Sequence, residues 1–305
     1  MKFHFAPVQG HTDAPYRHFH AGMYGHDISY YTPFIRLERG DLRVRDVKDF
    51  TSGLNDEAHL VPQIIFRDAD ELESLVRLVK DKGATEIDLN MGCPFPLQTG
   101  HGRGASTVAN SALADKVADI VKSNPDIVFS VKMRLGFSDP DEWKILLPRV
   151  NQVRLSHLAV HPRVAKQQYG GDLYLDRFEQ ILECSSNPVV FNGEIKNPAD
   201  VQSISTRFQS INGIMIGRGL LARPSLISEV MDGEEWDKVK RIDTMLSFHR
   251  NLLDYYSSTL CGETQLISKI KPFWEYAEDE IGRKAWKAIK KATNLAKYHS
   301  AVAMI

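Results

Sequence analysis

Three cysteines, Cys93, Cys184 and Cys261, are all that 305 residues contain, and none falls into a CxxC pair or a Cys/His metal-ligand spacing. That rules out a disulfide framework, gives no signature of a zinc site, and points to a reducing compartment. Net charge is just as scarce. The 38 Lys and Arg against 39 Asp and Glu leave −1, so no global field draws in a polyanion and any nucleic-acid surface has to be a local patch. No apolar run is long enough to span a bilayer, and Met1-Lys2 leads into Phe3-His4-Phe5-Ala6 without the apolar core of a signal peptide. Internal repeats and low-complexity tracts are missing too. The expectation is a cytoplasmic protein, monomeric, with no membrane or metal partner.

What is present is apolar material for a large core, 43% of the chain, arranged as short runs bounded by turn residues. Eight such runs read as strands, near 3–6, 27–31, 61–65, 86–90, 128–132, 157–161, 188–191 and 213–216. Most gaps between them carry a helical period. Over 69–82, Leu72, Leu75, Val76 and Val79 share one face, and over 112–122 Leu113, Val117, Ile120 and Val121 do. Alternating strands and helices predict a parallel α/β sheet, and eight units predict a (β/α)8 TIM barrel, with an open doubly wound sheet as the rival. After Arg218 no further strand is predicted. Helical stretches at 242–256 and 278–298 make a small C-terminal helical domain, so the division is 1–237 and 238–305. The last stretch carries Arg283, Lys284, Lys287, Lys290, Lys291 and Lys297 with no acidic residue after Gly282. It reads either as a solvated face or as a contact to phosphate backbone.

The stretch 87–105 is the most informative. A short apolar run through Asp88, Leu89, Asn90 and Met91 breaks at Gly92-Cys93-Pro94, and Gly100, Gly102 and Gly104 follow. This predicts a strand that delivers a thiol to its carboxyl end beside a deformable loop. Cys93 alone is a small buried hydrophobe or a catalytic group, and the residue type does not decide. The other strand ends are also unusually polar. Ala6-Pro7-Val8-Gln9-Gly10 follows the first strand, Gln63 lies on the third, Lys132-Met133-Arg134 ends the fifth and His161-Pro162-Arg163 the sixth. Asn192-Gly193-Glu194 ends the seventh and Ile216-Gly217-Arg218-Gly219 the eighth. In a barrel these ends converge on one mouth, and the last two loops are the usual phosphate cradle. Lys132 and His161 would there form a cationic wall suited to an electron-rich planar ring such as a reduced flavin, with Gln63 at its polar edge. Singly, each is as readily a salt-bridged lysine or a satisfied core histidine.

The chain resembles the dihydrouridine synthases, flavoenzymes that reduce uridines in tRNA. The resemblance is carried by Ala6-Pro7 with Thr12-Asp13 and Arg17, by Gln63, by Asp88-Leu89-Asn90-Met91-Gly92-Cys93-Pro94 and by Lys132-Met133-Arg134-Leu135-Gly136. It continues in His161 with Arg163, in Asn192-Gly193-Glu194-Ile195 and in Met215-Ile216-Gly217-Arg218-Gly219. It implies FMN held by Ala6, Pro7, Val8, Gln63, Lys132, His161, Asn192, Gly193, Glu194, Gly217 and Arg218, with NADPH or NADH as electron donor. It implies hydride transfer from flavin N5 to uracil C6 and a proton from Cys93 to C5. The thiol's reference pKa near 8.5 keeps it protonated at neutral pH. Asn90, Arg134 and Arg163 are then expected at the substrate, presented as a flipped base, with the loop 100–104 closing over it. Lys269, Lys271, Arg283, Lys287, Lys290 and Lys291 are expected at the tRNA.

The sequence departs from the family where Val8 and Gln9 replace Met and Ala, and where Pro96 and Gln98 stand in place of a nearby lysine and valine. Thr32-Pro33-Phe34-Ile35-Arg36, the short region after the fifth strand and the Asn-Gly-Glu form of the seventh look closest to the bacterial subgroup that modifies position 16 of tRNA. Two alternatives stay open: the same flavin chemistry on ribosomal RNA or a free pyrimidine, as in dihydroorotate-oxidising barrels, and a non-catalytic RNA-binding module.

Overall fold

The computed structural model describes residues 1–25, 27–56 and 58–305. Each apolar run becomes one strand of a parallel sheet: β1 (Lys2–Phe5), β2 (Ile28–Tyr31), β3 in two pieces (His59–Val61 and Gln63–Ile64), β4 (Glu86–Met91), β5 (Val128–Gly136), β6 (Leu158–Val164), β7 (Val189–Asn192) and β8 (Gly213–Ile216). Hydrogen-bonded neighbours run from the first piece of β3 through β2, β1, β8, β7, β6, β5 and β4 to the second piece of β3. The two edges of the sheet are therefore one strand, parted only by Pro62. The sheet closes on itself as a (β/α)8 barrel, and closure excludes the open doubly wound rival. Pro62 has no N–H to give a neighbour, which interrupts the ladder, yet its carbonyl still accepts from Asp88 N at 2.9 Å.

The barrel helices are α1 (Ala14–Tyr24), α2 (Val44–Phe50), α3 (Ala69–Lys80), α4 (Ser111–Ser123), α5 (Trp143–Val150), α6 (Leu175–Cys184), α7 (Pro198–Arg207) and α8 (Leu226–Asp232). The predicted faces are the buried ones. Asp68 caps α3 by accepting Glu71 N at 2.8 Å and Leu72, Leu75, Val76 and Val79 point inward. Asn110 caps α4 from Leu113 N at 3.1 Å. Strand side chains alternate between the two sides of the barrel wall. Ile87, Leu89, Phe129, Val131 and Met133 join the apolar cluster beneath the helices. The other parity places Gln63 opposite Asp88, Asp88 opposite Ser130, Asn90 opposite Lys132 and Arg134 opposite His161. The barrel interior is thus partly polar. Towards its floor Tyr31 Oη sits 2.9 Å from His4 Nδ1 and 3.2 Å from His157 Nε2, and burial holds both imidazoles neutral, His4 down at about 3.

The C-terminal helices are α9 (Lys238–Thr259), α10 (Glu263–Ile270), α11 (Arg283–Lys291) and α12 (Leu295–Val302). Phe248 of α9 stands edge-on to Tyr16 of α1, ring centroids 4.8 Å apart, and to Phe273 at 5.2 Å. Barrel and helical segment therefore share one continuous apolar cluster. The single helix expected over 278–298 is broken twice. Gly282 takes φ 82°, which a side chain would resist. Asn294 is extended and caps α12 by accepting Lys297 N at 2.9 Å. Lys297 therefore leaves the heptad line of Arg283 and Lys290. Among the described residues no helix is long and apolar enough to cross a membrane.

Candidate active site at the carboxyl ends of the strands

The polar strand ends enclose a cavity of about 390 Å³. Ala6, Pro7 and Val8 line it from β1, Gln63 from β3, Asn90 and Cys93 from β4, Lys132 and Arg134 from β5, and His161 from β6. Asn192, Gly193 and Glu194 complete it from β7, and Gly217 and Arg218 from β8. All of the residues expected at the cofactor, together with Cys93, Asn90 and Arg134, meet in one space. Arg163 does not line it. Arg163 lies behind the wall, donating to Gly171 O at 2.7 Å and to Glu194 Oε1 at 2.7 Å, and so ties together the loops that follow β6 and β7.

Cys93 is 8% exposed, its backbone N–H held by Asn90 Oδ1 at 2.9 Å. Burial pushes its thiol up, against the opposing pull of the Phe95 backbone N–H, Lys132 and Arg134, so the sulfur keeps its proton at neutral pH. Burial also holds Lys132 down at about 8, helped by Arg134 and opposed by Asp88 and Cys93. His161 is lowered well below the usual range by burial and then by Arg134, Lys132, Arg163 and Arg218; its imidazole is neutral. Lys132 makes no ion pair among the described residues. Its ammonium, the Arg134 guanidinium and the free amide hydrogens of Gln63 and Asn90 form a wall of donors. That wall fits the electron-rich edge of the flavin implied by the resemblance.

The loop 100–104 is exposed over Gly100, His101 and Gly102 and buried at Arg103 and Gly104. Gly104 has φ 62°, and a Cβ there would sit 2.6 Å from Cys93 O and 2.9 Å from Cys93 Cβ. Ala105 N bonds Cys93 O at 3.1 Å, and the buried Arg103 is ion-paired to the buried Glu71. Gly104 thus serves close approach to the thiol turn. Where Pro96 and Gln98 depart from the family, a helical turn, Pro96–Thr99, projects an exposed Leu97.

At the end of the cavity expected to hold phosphate the groups are already engaged. Glu194, at φ 44°, accepts Arg163 at 2.7 Å and Arg218 at 2.9 Å, and Lys196 lies 3.7 Å away. The Arg218 guanidinium also lies 4.0 Å from the ring centroid of Tyr169, and Arg134 5.4 Å from it. Tyr169 lines the cavity but is not legible from sequence, because a lone tyrosine in the loop 165–174 carries no period or motif. The same is true of Tyr276, Asp279 and Glu280, which bring the C-terminal segment to the rim, and of His11, 3.2 Å from Glu275.

The cations expected at RNA divide into two groups. Arg283, Lys287, Lys290 and Lys291 are exposed on α11, opposite its buried Ala285 and Ile289. Lys269 instead pairs with Asp13 at 2.5 Å, and Tyr256 Oη donates to that same carboxylate at 2.9 Å. Lys271 Nζ donates to Lys290 O at 2.7 Å and Ala292 O at 3.0 Å, closing the end of α11. Lys271→Met is therefore expected to lower unfolding free energy by about 1 kcal/mol in urea titration, whereas a lysine serving only RNA would leave it unchanged.

The dihydrouridine synthase family model matches residues 4–302. A probable tRNA-dihydrouridine synthase 2 of Bacillus subtilis is 26% identical over 265 residues, covering 84% of this chain and 79% of its own. A probable tRNA-dihydrouridine synthase of Rickettsia conorii is 28% identical over 271 residues, with coverages of 84% and 79%. Among solved structures, morphinone reductase superposes with a TM-score of 0.54 over 77% of this chain and 87% of its own. At 12% identity that likeness concerns the fold alone.

Proposed function

This chain belongs to the dihydrouridine synthase family, and we propose that it is an FMN-dependent enzyme that reduces uridine in tRNA to 5,6-dihydrouridine at the expense of NADPH or NADH. The observation that carries the reading is one cavity in which a buried, protonated thiol, Cys93, faces a wall whose polar groups are donors. FMN, once reduced by the nicotinamide, supplies the hydride chemistry that the side chains lack. Gln63, Lys132 and His161 would hold the ring's polar edge. Asn192 to Glu194, Gly217 and Arg218 would hold the phosphate end, and Ala6 to Val8 the remaining wall. Cys93 Sγ gives its proton to uracil C5, and the thiolate that results is stabilised by Lys132 and Arg134, the same cations that oppose its high pKa. Asn90 and Arg134 are the uracil's expected polar partners. The uracil must leave its stack to reach so enclosed a thiol.

The exposed cations of α11 support tRNA over a free pyrimidine as substrate. Deleting 240–305 is a poor test of this, because it strips Phe248 from Tyr16 and opens the shared core. Among uridine positions, 16 is the one we expect, with the protein acting as a monomer in the cytoplasm. Liquid chromatography with mass spectrometry of tRNA from cells with and without the protein tests the reading; unchanged dihydrouridine at every position would refute it.

Lys132 adds a pH signature. A cation whose pKa is lowered to about 8 is charged below that value and neutral above it, so affinity for a ligand that presents an accepting carbonyl edge to it falls as pH rises through 8. Titration of FMN fluorescence is expected to show this weakening in wild type and a flat profile in Lys132→Met. A wild-type profile that stays flat through pH 9 would contradict it.

A further inference from the structure

Asn90 accepts two backbone N–H groups on its side-chain oxygen, from Gly92 at 3.1 Å and from Cys93 at 2.9 Å. Only an oxygen can take both, so the Asn90 nitrogen must face the other way, where it donates to Gln63 Oε1 at 2.7 Å. That fixes Gln63 in turn: its nitrogen donates to Asp88 Oδ2 at 2.7 Å. The other Asp88 oxygen accepts Ser130 Oγ at 2.6 Å. The chain of four side chains is pinned at one end by backbone groups that can only donate and at the other by a carboxylate, 0% exposed, that when ionised can only accept. Reversing any amide in between would set N–H against N–H or oxygen against oxygen in a dry interior.

We infer that Asp88, which does not itself line the cavity, is a positioning residue that fixes the sense of the Gln63 and Asn90 amides, so that each keeps its oxygen engaged within the chain and has an N–H to offer the bound ligand. Each amide nitrogen has two hydrogens and spends one within the chain. The second is left at residues that do line the cavity. Together with Lys132 and Arg134 this makes one side of the site selective for ligand edges that accept, such as carbonyl oxygens and deprotonated ring nitrogens, and unfavourable to an amino edge such as that of cytosine. The inference deepens the flavin reading and rests on it. It also gives the Asp88-Leu89-Asn90 spacing a physical reason, since both side chains must project from the same side of β4 to reach Gln63 between them.

The test exchanges the chemistry of two partners while keeping their charge sum. Gln63→Glu alone sets carboxylate against carboxylate and is expected to lower the melting temperature. Gln63→Glu with Asp88→Asn reconnects the chain, because the amide introduced at position 88 can donate to the carboxylate introduced at position 63, and that carboxylate can accept from Asn90. Melting should then recover toward wild type, while FMN affinity, read by fluorescence quenching without RNA, stays weaker by about tenfold or more because the cavity now meets an acceptor. A swap that recovers both melting and FMN affinity would overturn the inference. Should the swap not fold, Asp88→Asn, which keeps an acceptor for Gln63, is compared with Asp88→Leu, which does not. Rescue by Asn relative to Leu supports the inference, and equal FMN affinity in the two overturns it. If wild type itself binds no FMN, the flavin reading fails first and the inference with it. Loss confined to the variants separates the two cases.

Discussion

Cys93→Ala is expected to bind FMN as wild type does and to form dihydrouridine about two to four orders of magnitude more slowly, the range for a positioned general acid. The substitution removes one sulfur and keeps the Cβ. The turn around it is held by backbone groups, Asn90 Oδ1 on one side and Ala105 N on the other, and none of these is lost. The donor wall of Gln63, Asn90, Lys132 and Arg134 stands on β3, β4 and β5 and keeps every donor when the sulfur is removed, so cofactor affinity has no reason to change. What disappears is the proton. Burial keeps the thiol above its ordinary pKa, so wild-type protein presents it protonated across the neutral range, and no other described acid shares that position. Cys93→Ser keeps a much weaker acid and is expected to fall between the two. Rates of product formation, read by mass spectrometry of digested tRNA with flavin content measured in parallel, check this. A Cys93→Ala protein that turns over at the wild-type rate would assign the thiol to the buried-hydrophobe reading.

Reversing Lys287, Lys290 and Lys291 to Glu is expected to weaken tRNA binding by about a hundredfold or more at low salt and to flatten its salt dependence by up to about 0.9 per lost phosphate contact. The three ammonium groups lie on the exposed side of α11, with Lys290 folded over Trp286 at 4.2 Å. No acidic residue follows Gly282 in the chain, and among the described residues Arg283 has only Glu278 near it, 3.8 Å away. The buried side, Ala285 and Ile289, is untouched, so folding and FMN content should survive. The loss should appear in KM and recede at saturating tRNA. Filter binding across a salt series measures it, and an unchanged slope would remove α11 from the RNA surface.

Much of this architecture is legible in the chain because it depends on local pattern. The eight apolar runs mark the strands, the periods over 69–82 and 112–122 mark two of the helices, and the polar strand ends, Lys132 and Arg134 among them, mark the mouth of the barrel. What escapes the sequence depends on distant chain segments meeting. Pro62 closes the sheet only because β2 and β4 arrive on either side of it. Gly104 packs against Cys93, and Lys271 caps a helix 19 residues later. Tyr169 stacks on Arg218 across two loops. Lys297 leaves the basic stripe because Gly282 and Asn294 break a periodicity that looks continuous in one dimension. The direction of the Gln63 and Asn90 amides is a property of a network, fixed by Asp88 and the backbone together, and no single residue announces it.

The most direct measurement incubates purified protein, reconstituted with FMN, with unmodified tRNA and NADPH or NADH and quantifies dihydrouridine in the digested RNA. The account predicts product from wild type, a residual trace from Cys93→Ala at equal flavin occupancy, and none without FMN. Flavin-loaded wild-type protein that leaves every uridine unreduced, or product formed equally well without Cys93, would contradict it.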